Sequence, residues 1–317
     1  MRNAKLAISN EKLKIAIIGA GKVGATLAMR VVEDNLGEVF LLDINKDLAQ
    51  GKVLDLRDSL ATLNCGGKIN YCKDYSEIED SDIVVLTAGF SRQAGMSRED
   101  LLIKNKEIIQ SIIPRIKKYN PKAIIIVVTN PLDVLTYFVY KLSKISRQRI
   151  MGMSGVLDAG RFSALIAEEL GVSRQNIQAM VLGMHGDLML PLVRYSTICG
   201  VPLRQLLSQK KIEELTKKVR SRGSEIVSYL ASSAYYAPSA AIFLMLKAII
   251  NDEKRVLAAS VYLDGEYNLK DVCLGVPVKL GRDGVEEIIE LKLNKEEKRL
   301  LQKSAEEVRD GIRKLNI

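Results

Sequence analysis

The 317-residue sequence predicts an α/β protein, a doubly wound parallel sheet followed by a C-terminal α+β domain. Three observations predict it. From residue 14 to about residue 150, short β-branched runs alternate with helical patterns, the signature of parallel strands joined by crossover helices. The run 123–128 is apolar throughout, as a strand covered on both faces must be. Gly19-Ala20-Gly21-Lys22-Val23-Gly24 stands between the first apolar run and the first helical pattern.

In order, strands are expected at 14–18, 39–42, 69–72, 83–86 and 123–128. Helices are expected at 23–33, 47–60 and 97–119, the last kinked or broken near Pro114. The pattern changes near Met151, so a first domain is drawn at 1–150, with 1–13 as an N-terminal tail, and a second at 151–317. The second opens on a helix at 154–170 stopped by Gly171, then strands at 177–182 and 193–198 and a turn at Gly200-Val201-Pro202. Helical stretches at 212–221 and 225–250 lead to strands at 255–263, 272–280 and 286–291, joined by turns at Asp264-Gly265 and Asp283-Gly284. An amphipathic helix at 295–315 closes the chain.

Composition narrows the function. Apolar residues make up 47% and charged residues 27%, ordinary for a globular protein. No run approaches 18 apolar residues, and residues 1–14 lack the apolar centre of a signal peptide, so a cytoplasmic protein is expected. Cys65, Cys72, Cys199 and Cys273 fit no metal or redox spacing; with a single histidine, no metal site is expected. The net charge of +9 is spread among acids along helical stretches, without an arginine tract or aromatic RNA-binding motif, so nucleic acid is not the expected partner.

The glycine motif has the G-x-G-x-x-G spacing of a Rossmann phosphate loop. Glycines there allow a tight turn, let the backbone approach a pyrophosphate and bring helix and strand together, while the helix N-terminus supplies donors to the phosphates. Asp43 ends the second strand 19 residues after Gly24, where an acid accepts hydrogen bonds from ribose hydroxyls and repels a 2′-phosphate. NAD is therefore the expected cofactor, held by Gly19, Ala20, Gly21, Lys22, Val23, Gly24 and Asp43, with Lys22 either touching phosphate or solvated.

His185, the only histidine, lies in Val181-Leu182-Gly183-Met184-His185-Gly186-Asp187. It either holds a turn or trades a proton near neutral pH. Asp158 and Arg161 share a helix face at i and i+3, as a surface ion pair or as a histidine-orienting carboxylate beside a carboxylate clamp. The loop 87–98, with Arg92 and Arg98, follows the fourth strand at the sheet end where such folds bind ligands. Asn130, before Pro131 after the fifth strand, either caps a turn or bonds a substrate.

These stretches together resemble the lactate/malate dehydrogenase family, most closely its lactate-dehydrogenase-like malate dehydrogenases. The resemblance rests on 19–24, Asp43, 87–98, 128–131, 157–162, 181–187, 233–238 and 272–284, in family order. It implies that His185 accepts the proton and Asp158 orients it. Arg161 would clamp the C1 carboxylate, Arg98 polarise the reacting carbonyl, and Asn130 touch substrate and nicotinamide beside Val128 and Thr129. Asn105 would be a further NAD contact. The implied reaction is reversible oxidation of (S)-malate to oxaloacetate with NAD, in a homodimer or homotetramer.

Arg92 carries the substrate expectation. Lactate dehydrogenases resemble this loop but usually carry Gln there, and malate dehydrogenases carry Arg. Closed over the methyl group of pyruvate, Arg92 would be a desolvated, unpaired charge costing several kcal/mol; over a second carboxylate it is satisfied. The chain departs from the family pattern at Met184, Ser91, Gln93 and Ala94, and Ser163 replaces a basic residue of the sugar-phosphate-activated enzymes. The rival readings are a lactate or other 2-hydroxyacid dehydrogenase and a non-catalytic NAD-binding protein. Tyr137 and Lys141 also fit the Y-x-x-x-K of short-chain dehydrogenases, but the glycine spacing does not, so this match is read as chance.

Overall fold

The computed structural model describes residues 12–90 and 96–315. The first half runs β1 (Lys14–Ile18), α1 (Lys22–Glu33), β2 (Glu38–Leu42), α2 (Lys46–Thr62), β3 (Lys68–Cys72), β4 (Ile83–Leu86), α3 (Arg98–Tyr119), β5 (Ile124–Val127), α4 (Leu132–Ser143) and β6 (Ile150–Gly152). The remainder runs α5 (Gly155–Leu170), β7 (Ile177–Gln178), β8 (Val181–Leu182), β9 (Leu190–Pro191), β10 (Thr197–Ile198), β11 (Val201–Pro202), α6 (Leu203–Leu206), α7 (Gln209–Leu230) and α8 (Tyr236–Ile250). It closes with β12 (Arg255–Asp264), β13 (Lys270–Gly281), β14 (Gly284–Ile288) and α9 (Lys295–Arg313).

Strands β3-β2-β1-β4-β5-β6 are parallel neighbours in that order. This is the doubly wound arrangement, and its strand order reverses between β1 and β4, where the loops that follow them diverge into a crevice. β4 and β5 are buried at every residue, as the apolar runs require. The sheet does not end at β6. Ser260 of β12 pairs with Gly152, and antiparallel β12, β13 and β14 extend it to nine strands. Gly152 permits this junction, because a Cβ there would lie 2.4 Å from Thr136 Oγ1 and 3.1 Å from Ser260 Cβ.

Several expected elements come out differently. α3 is continuous through Pro114: the ring is exposed, while Ile109, Ile112, Ile113 and Ile116 bury the opposite face and hold the helix. The strand expected at 177–182 is two short ones in different sheets, because Ile177 and Gln178 pair with β10 whereas Val181 and Leu182 pair with β9. The strand expected at 193–198 begins as a 3-10 turn, where Arg194 is tethered to Glu297 at 2.9 and 2.7 Å and to the Lys292 carbonyl at 2.8 Å. The break expected near Gly223 falls instead at Ala231, which adopts φ 50°. One glycine costs a helix only about 1 kcal/mol relative to alanine, which packing of α7 against the small core offsets.

Candidate active site

The glycine loop is shaped by contact. Gly19 has φ +112°, and a Cβ there would lie 2.6 Å from Thr87 Oγ1 and 2.7 Å from the Ala88 nitrogen. A Cβ on Gly24 would sit 1.9 Å from the Gly19 carbonyl oxygen, so only glycine lets α1 start this close to β1. A Cβ on Gly21 would meet nothing within 4 Å, and no side chain caps α1. Open space in front of an uncapped helix N-terminus is the setting a pyrophosphate needs. Asp43 accepts from the Ala20 N–H at 2.6 Å and the Asn45 N–H at 2.8 Å, so it stands at the loop where a ribose would lie. Lys22 donates to Ser232 Oγ at 2.9 Å and lies 5.5 Å from the Tyr235 ring. The α7–α8 connection thereby roofs a cavity of about 250 Å³ lined by Lys22, Val23, Gly24, Thr87 and residues 232–235.

The loops after β4 and β5 are tied together. Thr129 Oγ1 donates to the Ala88 carbonyl at 2.7 Å, and the Val128 N–H to the Leu86 carbonyl at 3.0 Å. Asn105 is fully buried; its amide donates to the Asn130 carbonyl at 2.7 Å and the Phe90 carbonyl at 3.2 Å, and accepts from the Phe90 N–H at 2.7 Å. The resemblance implies an NAD contact for it; in the structure its amide joins both loops. Asn130 itself is exposed at the rim. Arg98 begins α3 behind the Ser97–Asp100 capping box. Arg92, with Ser91, Gln93 and Ala94, lies outside the described residues.

The histidine is deeper. A Cβ on Gly155 would lie 2.3 Å from the Val181 carbonyl oxygen, so α5 packs directly on the strand leading to His185. This brings the Asp158 carboxylate, 1% exposed, to 2.9 Å from His185 Nδ1. A carboxylate can only accept, so Nδ1 carries the proton and Nε2 keeps a free lone pair. The Arg161 guanidinium is 10% exposed and 3.5 Å from Asp158 Oδ1. Among the described residues its buried Nε has no partner, and α7 runs past it at Gly223, where a Cβ would lie 3.7 Å from Arg161 Nη1. A buried cation with unused donors is a site prepared for an anion.

Electrostatics follow the geometry. Burial pulls the His185 imidazole down, but the charge and hydrogen bond of Asp158 outweigh it and leave its pKa above 6.5. Burial lowers the Arg161 guanidinium, Asp158 opposes this and Arg222 adds to it.

Sequence reasoning missed the groups that fasten the His185 loop. Gly183 and Gly275 exchange backbone bonds of 2.9 and 3.1 Å, Ser304 Oγ accepts from the Met184 N–H at 2.6 Å, and Asp133 Oδ2 accepts from the His185 N–H at 2.8 Å. These partners are between 52 and 120 residues away along the chain for the two side chains, so no local pattern marks them. Tyr137 and Lys141 are taken up elsewhere, bonded to Asp271 at 3.0 and 2.7 Å.

Residues 13–152 match the family model for the lactate/malate dehydrogenase NAD binding domain, and residues 155–316 the model for the lactate/malate dehydrogenase alpha/beta C-terminal domain. A malate dehydrogenase of Methanosarcina mazei is 49% identical over 96% of this chain and 100% of its own length. The structure of malate dehydrogenase from Salinibacter ruber superposes with a TM-score of 0.92 at 44% identity, covering 96% of this chain and 98% of its own. A lactate dehydrogenase from Cryptosporidium parvum, complexed with lactic acid and nicotinamide adenine dinucleotide, gives 0.93 at 37% identity, covering 96% and 98%. Two adjoining family models that account for nearly every residue from 13 onward agree with a glycine cradle and a buried His–Asp pair, and the chain belongs to the lactate/malate dehydrogenase family.

Proposed function

We propose that this chain catalyses the reversible oxidation of (S)-malate to oxaloacetate with NAD. The observation that carries the reading is the Asp158–His185 pair beside a buried, under-bonded Arg161, one proton acceptor next to one carboxylate receptor. Gly19, Ala20, Gly21, Lys22, Val23, Gly24 and Asp43 would hold the cofactor's adenosine and phosphates, with Val128, Thr129 and Asn130 walling the nicotinamide end. Bound NAD supplies the hydride acceptor.

Neutral His185 takes the substrate hydroxyl proton on Nε2, and Asp158 stabilises the imidazolium, as the acid of a Ser-His-Asp triad does for its histidine. Arg161 grips one carboxylate with two parallel bonds, and Arg92 pairs the second. Arg98 polarises the carbonyl in the reverse direction. Asn105 acts through the loops that it joins. Holding the substrate by both ends places its reacting carbon beside the cofactor, which supplies much of the acceleration. The protein is read as a cytoplasmic homodimer or homotetramer; among the described residues no helix is long and apolar enough to cross a membrane.

NADH oxidation with oxaloacetate is expected to exceed that with pyruvate by orders of magnitude in kcat/KM, because pyruvate leaves Arg92 unpaired. Equal rates, or a preference for pyruvate, would overturn the reading. The direction of the His185 shift sets the pH dependence. Malate oxidation needs neutral imidazole, so its kcat/KM should climb as pH rises through an apparent pKa above 6.5. Oxaloacetate reduction needs imidazolium, so its kcat/KM should fall through the same value. Profiles that bend in the same direction for both reactions would exclude His185 as the shared group.

A further inference from the structure

The His185 loop rests on a second buried carboxylate that the mechanism above leaves unused. Asp133, the second residue of α4, is 3% exposed and accepts the His185 backbone N–H at 2.8 Å. Among the described residues its Oδ1 and the Ser260 hydroxyl of β12 form no bond of ordinary geometry, although Ser260 lies close enough to pull on the carboxylate. Burial pushes this carboxyl from 3.8 up to about 6, against the opposing pull of Ser260 and of His185. A pKa raised on folding means that stability is fully present below the unfolded value and is lost as pH rises through the folded one. Above about 6, ionised Asp133 therefore destabilises the fold. A neutral acceptor would satisfy the same N–H without that cost, so anchoring alone does not explain a carboxylate here.

The loop has no regular secondary structure at the histidine. Gly183 at φ +84° and Gly186 at φ +141° flank Met184 and His185, and no helix or strand runs through the histidine. Of the three tethers, only Asp133 reaches the backbone of His185 itself. The charged groups facing the imidazole are Asp158 and Arg161 from α5 and Asp133 from α4, with Asp187 two residues on in the same loop. Asp133 also senses Asp158, and the buried Cys273 of β13 lies near it with its thiol pushed well up by burial, hence neutral.

We propose that Asp133 is a positioning residue for proton transfer, holding His185 through its backbone N–H while its negative charge favours the imidazolium form of the ring. The proposal rests on His185 being the proton acceptor. It explains why the chain keeps a destabilising charge beneath this loop, the exchange of stability for function seen at many active sites.

The single histidine makes the test direct, since imidazole NMR reports His185 alone. Asp133→Asn keeps an acceptor oxygen, removes the charge and offers an amide donor to Ser260. Its imidazole should titrate at least about half a unit below the wild type in the presence of NADH. That lowers the imidazolium fraction about threefold on the alkaline side, so kcat for oxaloacetate reduction at about pH 8 should fall by about as much, with KM within about twofold. The Tm at that pH should rise because the buried charge is gone, and the shifted titration, which a purely structural role would not produce, is the discriminating readout. Asp133→Ala, which also loses the acceptor, should lower kcat at least about tenfold with NADH affinity retained. An unshifted titration in folded Asp133→Asn overturns the proposal, as does a higher KM at unchanged kcat in either variant. Should the wild type fail to reduce oxaloacetate, the substrate reading falls, while the titration still decides the role of Asp133.

Discussion

Replacing His185 with asparagine is expected to reduce turnover in both directions at least about a hundredfold, the lower end of what general acid–base catalysis contributes. The substitution isolates the chemistry. An asparagine amide can still donate to Asp158, which receives the imidazole at 2.9 Å, so that buried carboxylate keeps a partner. The loop keeps its tethers to Asp133, Ser304 and Gly275, because all three act on backbone groups. What disappears is the only lone pair able to accept the hydroxyl proton. NADH affinity, read by fluorescence titration, should stay close to wild type, since the glycine cradle is not touched. Turnover within about tenfold of wild type would remove His185 from the proton-transfer role.

Arg161→Lys should lower kcat/KM for oxaloacetate by roughly a hundredfold, chiefly through KM. Truncating one partner of a buried, hydrogen-bonded charge pair costs about 2–5 kcal/mol, and a lysine ammonium cannot make the two parallel bonds of a guanidinium fork. Arg161 is well suited to show this. It is 10% exposed, its Nε has no partner, and its one acidic neighbour is 3.5 Å away, so substrate must supply its best interaction. Added guanidinium should recover part of the activity of an Arg161→Ala variant. A KM unchanged by Arg161→Lys would show that the substrate carboxylate binds elsewhere.

Much of the candidate site was legible because its signals are local. The three glycines of 19–24 announce themselves by spacing, and each has the contact that the spacing implies: Gly19 against Thr87, Gly21 facing open space, Gly24 against the Gly19 carbonyl. Asp43 follows β2 directly, 19 residues after Gly24. Asp158 and Arg161 share a helix face because they are three residues apart. The alternation of strands and helices likewise carried the parallel sheet, with β1 and β4 at their expected bounds and β2 and β3 each starting one residue earlier.

Other features depend on which distant segments meet. For Asn105 the resemblance implies an NAD contact; only the folding of two loops onto α3 shows its side chain joining them. The helical stretches 212–221 and 225–250 leave a gap at 222–224, yet α7 runs through it and past Arg161. The 177–182 run reads as one strand, yet Ile177–Gln178 pairs with β10 and Val181–Leu182 with β9, in separate sheets.

By itself, then, the sequence determined the doubly wound half and the glycine loop after its first strand, since both follow from backbone conformation and periodicity over a few residues, whereas the proposal of His185 as proton acceptor came from the family resemblance. Tertiary structure alone decided that the sheet continues through Gly152 into the second half, that His185 meets Asp158 with Nε2 left free, and that a second carboxylate lies under the same loop. Those outcomes depend on desolvation and hydrogen bonding between groups far apart along the chain, and such energies exist only after the chain has closed around them.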